Sequence, residues 1–189
     1  MRLHCWTRVE HDSSEGFDCL KTPLGVSLLE NSSWEETLVN ISVATTEDIA
    51  PAKAIAKAAF SELRSVYSPT KTAIANKQDS TAYVVAKMGQ TVVGTLQYFD
   101  EGDRIYVFDV AVDANYRRQG IARRLIDFVS DTARNLGHKI VSTRTIRETG
   151  NVEIFEKLGF HVVKEETAKW CVSDRDPTLH DVYLEWHVG

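Results

Sequence analysis

The chain has 189 residues, 43% hydrophobic and 26% charged, with a formal net charge of −5. That length suits one domain, or one domain with an appendage, and the composition is ordinary for a globular protein. The acidic balance argues against general nucleic-acid binding, and no stretch approaches the ~20 apolar residues of a membrane span.

Residues 1 to 40 hold polar, turn-like runs, "HDSSEGFDC" and "ENSSWEE", around one candidate strand, "LGVSLL". They read as an N-terminal extension to a domain at 41–189. "ISVAT" is the first short β-branched strand. "EDIAPAKAIAKAAFSELRSVY" repeats Ile49, Ala52, Ala56, Phe60, Leu63 and Tyr67 at helical spacing. Pro51 is tolerated only in a first turn, which puts the helix start near Asp48. "TKTAIANKQ" is a candidate second helix. "TAYVVAK", "TVVGTLQYF" and "RIYVFDVAV" are three strands, and the turns "MGQ" and "DEGD" are short enough to make them antiparallel hairpins.

A long helix follows "DANYRRQG". Ile121, Leu125, Phe128, Val129, Ala133 and Leu136 form its apolar face, Arg123, Arg124, Asp127, Asp131 and Arg134 its polar one, and Gly137 its C-cap. "KIVSTRT" is a strand and "GNVEIFEKL" a short helix ended by Gly159. "FHVVKEETAKW" and "TLHDVYLEWHV" are two last strands joined by "SDRDP".

The start of the long helix carries the chemistry. Arg117, Arg118, Arg123 and Arg124 crowd an end where the helix dipole already places positive charge. The crowding makes sense if an anion sits there. The first helical N–H groups have no intrahelical partners, Gly120 permits close approach, and arginine matches phosphate geometry. For Arg123, Arg124 and Arg134 an ordinary solvated face, with Arg123–Asp127 and Arg134–Asp131 pairs, is an equal alternative. No Walker loop or dinucleotide fingerprint is present.

"VAVDANYRRQGIARRLIDFV" resembles the signature of the GNAT superfamily of acetyl-CoA-dependent N-acetyltransferases. That signature, Arg/Gln-x-x-Gly-x-Gly/Ala, stands here as Arg117, Arg118, Gln119, Gly120, Ile121 and Ala122. "GNVEIFEKLGF" is similar to the family's second region. The resemblance implies an α/β (α+β) fold, a mixed, mostly antiparallel twisted sheet flanked by helices. It also implies acetyl transfer from acetyl-CoA to an amine acceptor. The loop from Arg118 to Arg123 would hold the coenzyme pyrophosphate through backbone amides, with Arg117 bracing the turn. Val110, Ala111 and Val112 would offer backbone groups to the pantetheine arm beside a β-bulge, where the strand parts from "KIVSTRT". Asn151 would lie near the coenzyme's tail, or else cap its helix.

Many family members have a tyrosine before "EKLGF" that protonates the leaving thiolate. Phe155 stands there and has no proton to give, so it is a packing residue or a wall of the coenzyme pocket. An amine with a pKa near 10.4 needs a base at neutral pH. Asp109, an acid inside an apolar strand, is the candidate; a hydrogen-bonded acid at the bulge is the alternative. Tyr106, Tyr98 and Glu101 are weaker choices.

Cys5, Cys19 and Cys171 are too few and scattered for a disulfide framework, the six histidines lack ligand spacing, and no metal is expected. The N-terminus lacks a signal-peptide run, so a cytoplasmic protein is expected. Two rivals remain, a coenzyme A-binding regulatory module without turnover and an acetyltransferase of aminoacyl-tRNA. Neither the acceptor amine nor the oligomeric state is written in the sequence.

Overall fold

A computed structural model describes residues 38–72 and 82–189. The extension up to residue 37, with its candidate strand, Cys5 and Cys19, and the body of the expected second helix lie outside the described residues. The elements run β1 (Val39–Val43), α1 (Ile49–Leu63), β2 (Ser68–Pro69), β3 (Ala82–Met88), β4 (Thr91–Asp100) and β5 (Ile105–Val112). Then come α2 (Ile121–Asn135), β6 (Ile140–Ile146), α3 (Asn151–Lys157), β7 (His161–Thr167), β8 (Cys171–Val172) and β9 (His180–His187).

The helix α1 begins after Asp48, with Pro51 in its first turn. Asp48 does not cap it through its side chain. Its carboxylate instead accepts from the Thr45 N–H and hydroxyl, each at 2.9 Å, and meets Lys87 Nζ at 2.9 Å. The hydrogen bond from Lys87, with those from Thr45, holds the Asp48 carboxyl down from 3.8 to about 2. This pair fastens the β1–α1 turn to β3.

Seven strands form one sheet in the order β1-β3-β4-β5-β6-β9-β7, and β2 and β8 form a separate two-stranded piece. Among the described residues β5–β6 is the one parallel pair of the main sheet. The hairpins β3–β4 and β4–β5 turn at Gly89 and Gly102, both in the left-handed region. Alternation along the strands sends Val84, Ala86, Leu96, Tyr98, Ile105 and Val107 to a core shared with α2 and α3. Val85, on the opposite face, packs with Ala52 of α1. The sheet is thus covered by α1 on one face and by α2 and α3 on the other.

The α2 stripe is wider than its spacing predicts, because Ile126 and Ser130 are buried too. Leu136, expected on the buried face, is 54% exposed. It is the C-cap residue, and Gly137 turns the chain away there: the Gly137 N–H donates to Arg134 O and the His138 N–H to Ala133 O. At Gly94 of β4 the helix comes so close that an added Cβ would sit 2.9 Å from Ile121 Cγ2. Strand β1 starts two residues before the expected Ile41. The final hairpin is longer-looped than expected, since its connection carries β8.

Candidate active site

The site lies where the one parallel pair fails. β5 and β6 pair at Ile105↔Val141 and Tyr106↔Ser142, and no register pair joins them further along. Thr143 Oγ1 donates to Val107 O at 2.9 Å, and past that bond the strands part. On its other side β5 carries a bulge. Thr95 pairs with Ala111 and Gln97 with Phe108, so Asp109 and Val110 together face Leu96. Asp109 adopts φ +53. Its Oδ2 accepts from Gln97 Nε2 at 2.7 Å.

The left-handed Arg118 (φ +66) and Gly120 (φ +78) fold the chain into the start of α2. The first helical bond runs from the Arg124 N–H to Gly120 O. The amides of Ile121, Ala122 and Arg123 therefore precede any intrahelical partner. A Cβ built on Gly120 would meet nothing within 4 Å, so this backbone is open to approach.

The arginines divide. Arg117 donates to both oxygens of Glu62 on α1, at 3.0 and 2.7 Å, and through Nε to Val112 O at 3.2 Å. It braces the turn, but Glu62 neutralises the charge that the sequence suggested for an anion. Arg118 is exposed and makes no hydrogen bond or ion pair with a described residue. Arg123 turns its guanidinium back to Leu158 O at 2.7 Å and to Lys157 O, at the C-terminus of α3, where a cation meets unpaired carbonyls. Only its backbone amide faces the α2 turn, and the expected Arg123–Asp127 pair does not form. Arg134 does pair with Asp131, at 2.6 Å, while Arg124 is exposed.

On the α1 face the parting strands open into a cleft of about 1070 Å³. Its floor is a ladder of rings, Phe99, Tyr106 and Phe108, with centroids 5.1 to 6.1 Å apart. Phe60, Leu63 and Tyr67 line it from α1 and just beyond, Asn151 and Phe155 from α3, and Asp109 and Val110 from the bulge. Burial pushes the Tyr106 and Tyr67 hydroxyls up, so both keep their protons at neutral pH. The far end is clipped by β2–β8 and by the Thr70 N–H donating to Trp170 O at 2.8 Å.

Several expectations change here. Asn151 is the first residue of α3 and Gly150 is the N-cap, so Asn151 does not cap the helix and lines the cleft instead. Phe155 plays both parts offered for it, since it lines the cleft and packs edge-on against Phe160 at 5.5 Å. Tyr98 is 9% exposed in the core and is no candidate for proton transfer; Tyr106 and Glu101 do line the cleft. Ile121 and Ala111 bury their side chains, leaving only backbone to face a ligand, and Val112 and Ala122 are half-buried. Gln119 is exposed on the α2 turn.

Sequence reasoning missed Glu62, Gln97, Arg144, Trp170 and Asp181. A lone arginine inside the strand "KIVSTRT" was the signal for Arg144. Among the described residues no group of three or more His, Cys, Asp or Glu side chains is placed to hold a metal, and no helix is long and apolar enough to cross a membrane.

Residues 49–160, more than half of the chain, match the Acetyltransferase (GNAT) family. The chain belongs to this family. The GNAT match takes in α1, the bulge, the α2 turn and α3. A human relative, N-acetyltransferase 8, is 30% identical over 116 residues, covering 57% of this chain and 50% of its own. The chain thus matches about half the length of that relative. GNAT-fold structures agree with the architecture. The ribosomal-protein-S18-alanine N-acetyltransferase of Escherichia coli superposes with TM-score 0.61 at 19% identity, covering 80% of this chain and 95% of its own. A GNAT acetyltransferase of Elizabethkingia anophelis with acetyl-CoA bound gives TM-score 0.58 at 18% identity, covering 79% and 97%.

Proposed function

We propose that the protein transfers an acetyl group from acetyl-CoA to a primary amine held in the cleft. The observation that carries this reading is the parting of β5 and β6 beside the unclaimed amides of Ile121, Ala122 and Arg123. The residues present fit acetyl-CoA. Its pyrophosphate needs a row of N–H donors on open backbone, which the turn from Arg118 through Gln119 and Gly120 into α2 provides. Its long arm needs strand groups free of a ladder, which Val110, Ala111 and Val112 have on the β6 side. Arg118 adds charge, Arg117 fixes the turn, and Asn151 and Phe155 form walls.

When bound, acetyl-CoA supplies the acetyl group as an activated thioester. The chain's part is to deliver a neutral amine. The ring ladder makes the cleft floor apolar, which disfavours the ammonium form and lowers its pKa. Asp109, held by Gln97, takes the proton, directly or through one water. The neutral amine would then attack the acetyl carbonyl directly, in a ternary complex, the amide C–N bond forming as the thioester C–S bond breaks and coenzyme A leaves as its thiolate. We assign the activity to the domain at 41–189 together with the start of β1, with the N-terminal segment as an appendage.

The test is release of free thiol from acetyl-CoA across a panel of amines. Release that depends on one amine class is expected, and Gly120→Asp should abolish it by placing a carboxylate in the anion's path. Acetyl-CoA binding without release for any amine would make the protein a coenzyme A-binding module instead. Activity confined to aminoacyl-tRNA, with steep salt dependence, would point to that acceptor.

A further inference from the structure

Several arginines of this fold satisfy their guanidinium groups with carboxylates or carbonyls, while Arg118 and Arg124 stand exposed on the surface. Arg117 is bidentate to Glu62, Arg147 is bidentate to Glu165, Arg104 reaches Asp103 and Glu185, and Arg123 reaches two carbonyls. Arg144 does not. It stands on the cleft-facing side of β6 and lines the cleft. Its nearest ion-pair oxygen is Asp181 Oδ1, 3.5 Å from Nε, and that buried oxygen has no hydrogen bond. Asp181 Oδ2 is taken by Trp170 Nε1 at 2.9 Å. Two rings hold the guanidinium in place, Trp170 at 5.1 Å and Tyr183 at 5.9 Å.

The group is therefore oriented and electrostatically supported, while most of its donors remain available. A planar fork of this kind matches a carboxylate with two parallel hydrogen bonds. Among the acids of the cleft, Glu166 is occupied: it accepts from Tyr183 Oη at 2.8 Å and pairs with Lys164 at 2.8 Å. Arg64 and Lys169 also line the cleft and add positive charge to it. The ring ladder beside Arg144 suits an apolar body.

We propose that Arg144 anchors a carboxylate on the acceptor, so that the acceptor is a small amino acid-type molecule with an apolar or aromatic body. This rests on the acetyl-transfer reading of the same cleft.

The test is calorimetric titration of the full chain with 3-phenylpropionate and with the neutral 3-phenylpropanol, which share a body and differ in the charged group. The acid should bind at least about tenfold more tightly, the scale of one charge-assisted hydrogen bond. Arg144→Met should erase that preference. It also leaves buried Asp181 without a counter-charge, so Arg144→Met combined with Asp181→Asn is measured alongside, with melting as the control for folding. In thiol release, phenylalanine should exceed 2-phenylethylamine in kcat/KM by about tenfold or more, mainly through KM, and Arg144→Met should level the two. Equal binding of acid and alcohol, binding of neither, or a preference that survives both variants would overturn the carboxylate anchor. A melting shift with acetyl-CoA is recorded in each case. If it persists, the failure is confined to Arg144; if it is absent, the acetyl-transfer reading falls too.

Discussion

At Asp109 the backbone and the side chain are specialised together. A φ of +53 is unusual for a residue with a Cβ, although Asp tolerates it better than most. The bulge makes this conformation and swings the carboxylate onto the Gln97 face of the sheet, over the cleft floor. Asn accepts the same backbone geometry and the same hydrogen bond from Gln97, so Asp109→Asn should fold normally. Its turnover should drop by about 10²-fold or more, the low end for general acid–base catalysis, with acetyl-CoA affinity unchanged. Full activity across pH 6 to 9 would remove Asp109 from the reaction. Phe155 makes the complementary case. Its ring is half-buried between Phe160 and the cleft. A thiol with a pKa near 8.5 leaves tolerably without a dedicated acid. Phe155→Tyr should therefore change turnover by no more than about tenfold and leave the melting temperature nearly unaltered, because the added hydroxyl reaches the open cleft. A large loss of stability would mean that the hydroxyl is buried without a partner.

Among the elements, the turn into α1 is the one with a pH signature. Asp48 has its carboxyl held down to about 2, chiefly by Lys87. A depressed carboxyl contributes stability that is present above its unfolded value and is lost as pH falls through the folded one. The contribution should be intact above pH 4 and disappear between about pH 4 and pH 2. Acid unfolding of Lys87→Met, followed by circular dichroism, should lack that part of the pH dependence. The order of the seven main-sheet strands and of α1, α2 and α3 was legible from local signals. The Pro51 start, the Gly89 and Gly102 hairpins and the Gly137 and Gly159 caps each mark a boundary by a backbone rule that needs no tertiary contact. What was illegible was set across long separations. Nothing near Arg117 announces Glu62 on another helix, nothing near Arg123 announces the end of α3, and β2 and β8 are two residues each, too short to carry a period. The site divided the same way. The backbone turn at Gly120 is a local motif and was readable. The cleft floor and Arg144 exist only once four strands are aligned.

For the molecule as a whole, a ligand that binds only the folded chain raises its stability by mass action. Acetyl-CoA at 100 times its dissociation constant should add about 2.7 kcal/mol, read as a higher melting temperature. An acetyl thioester of N-acetylcysteamine, which lacks the pyrophosphate, should add little at the same concentration. Equal shifts from the two would sink the assignment of the α2 turn as an anion site.

The narrow β5–β6 pairing also bears on how the chain comes apart. A sheet joined across its middle by two register pairs is, for cooperativity, two sheets: β1-β3-β4-β5, whose β3–β4–β5 part is built from local hairpins, and β6-β9-β7, whose strands meet across longer stretches of chain. The helix α2 contacts strands on both sides and acts as the splint between them. Amide hydrogen exchange under native conditions should resolve these blocks, because units that share few hydrogen bonds open with separate free energies. Protection in β6 and β9 should fall before protection in β3 and β4 as denaturant is added at levels below global unfolding. Trimming α2 at Leu125 to alanine should widen that gap between the blocks.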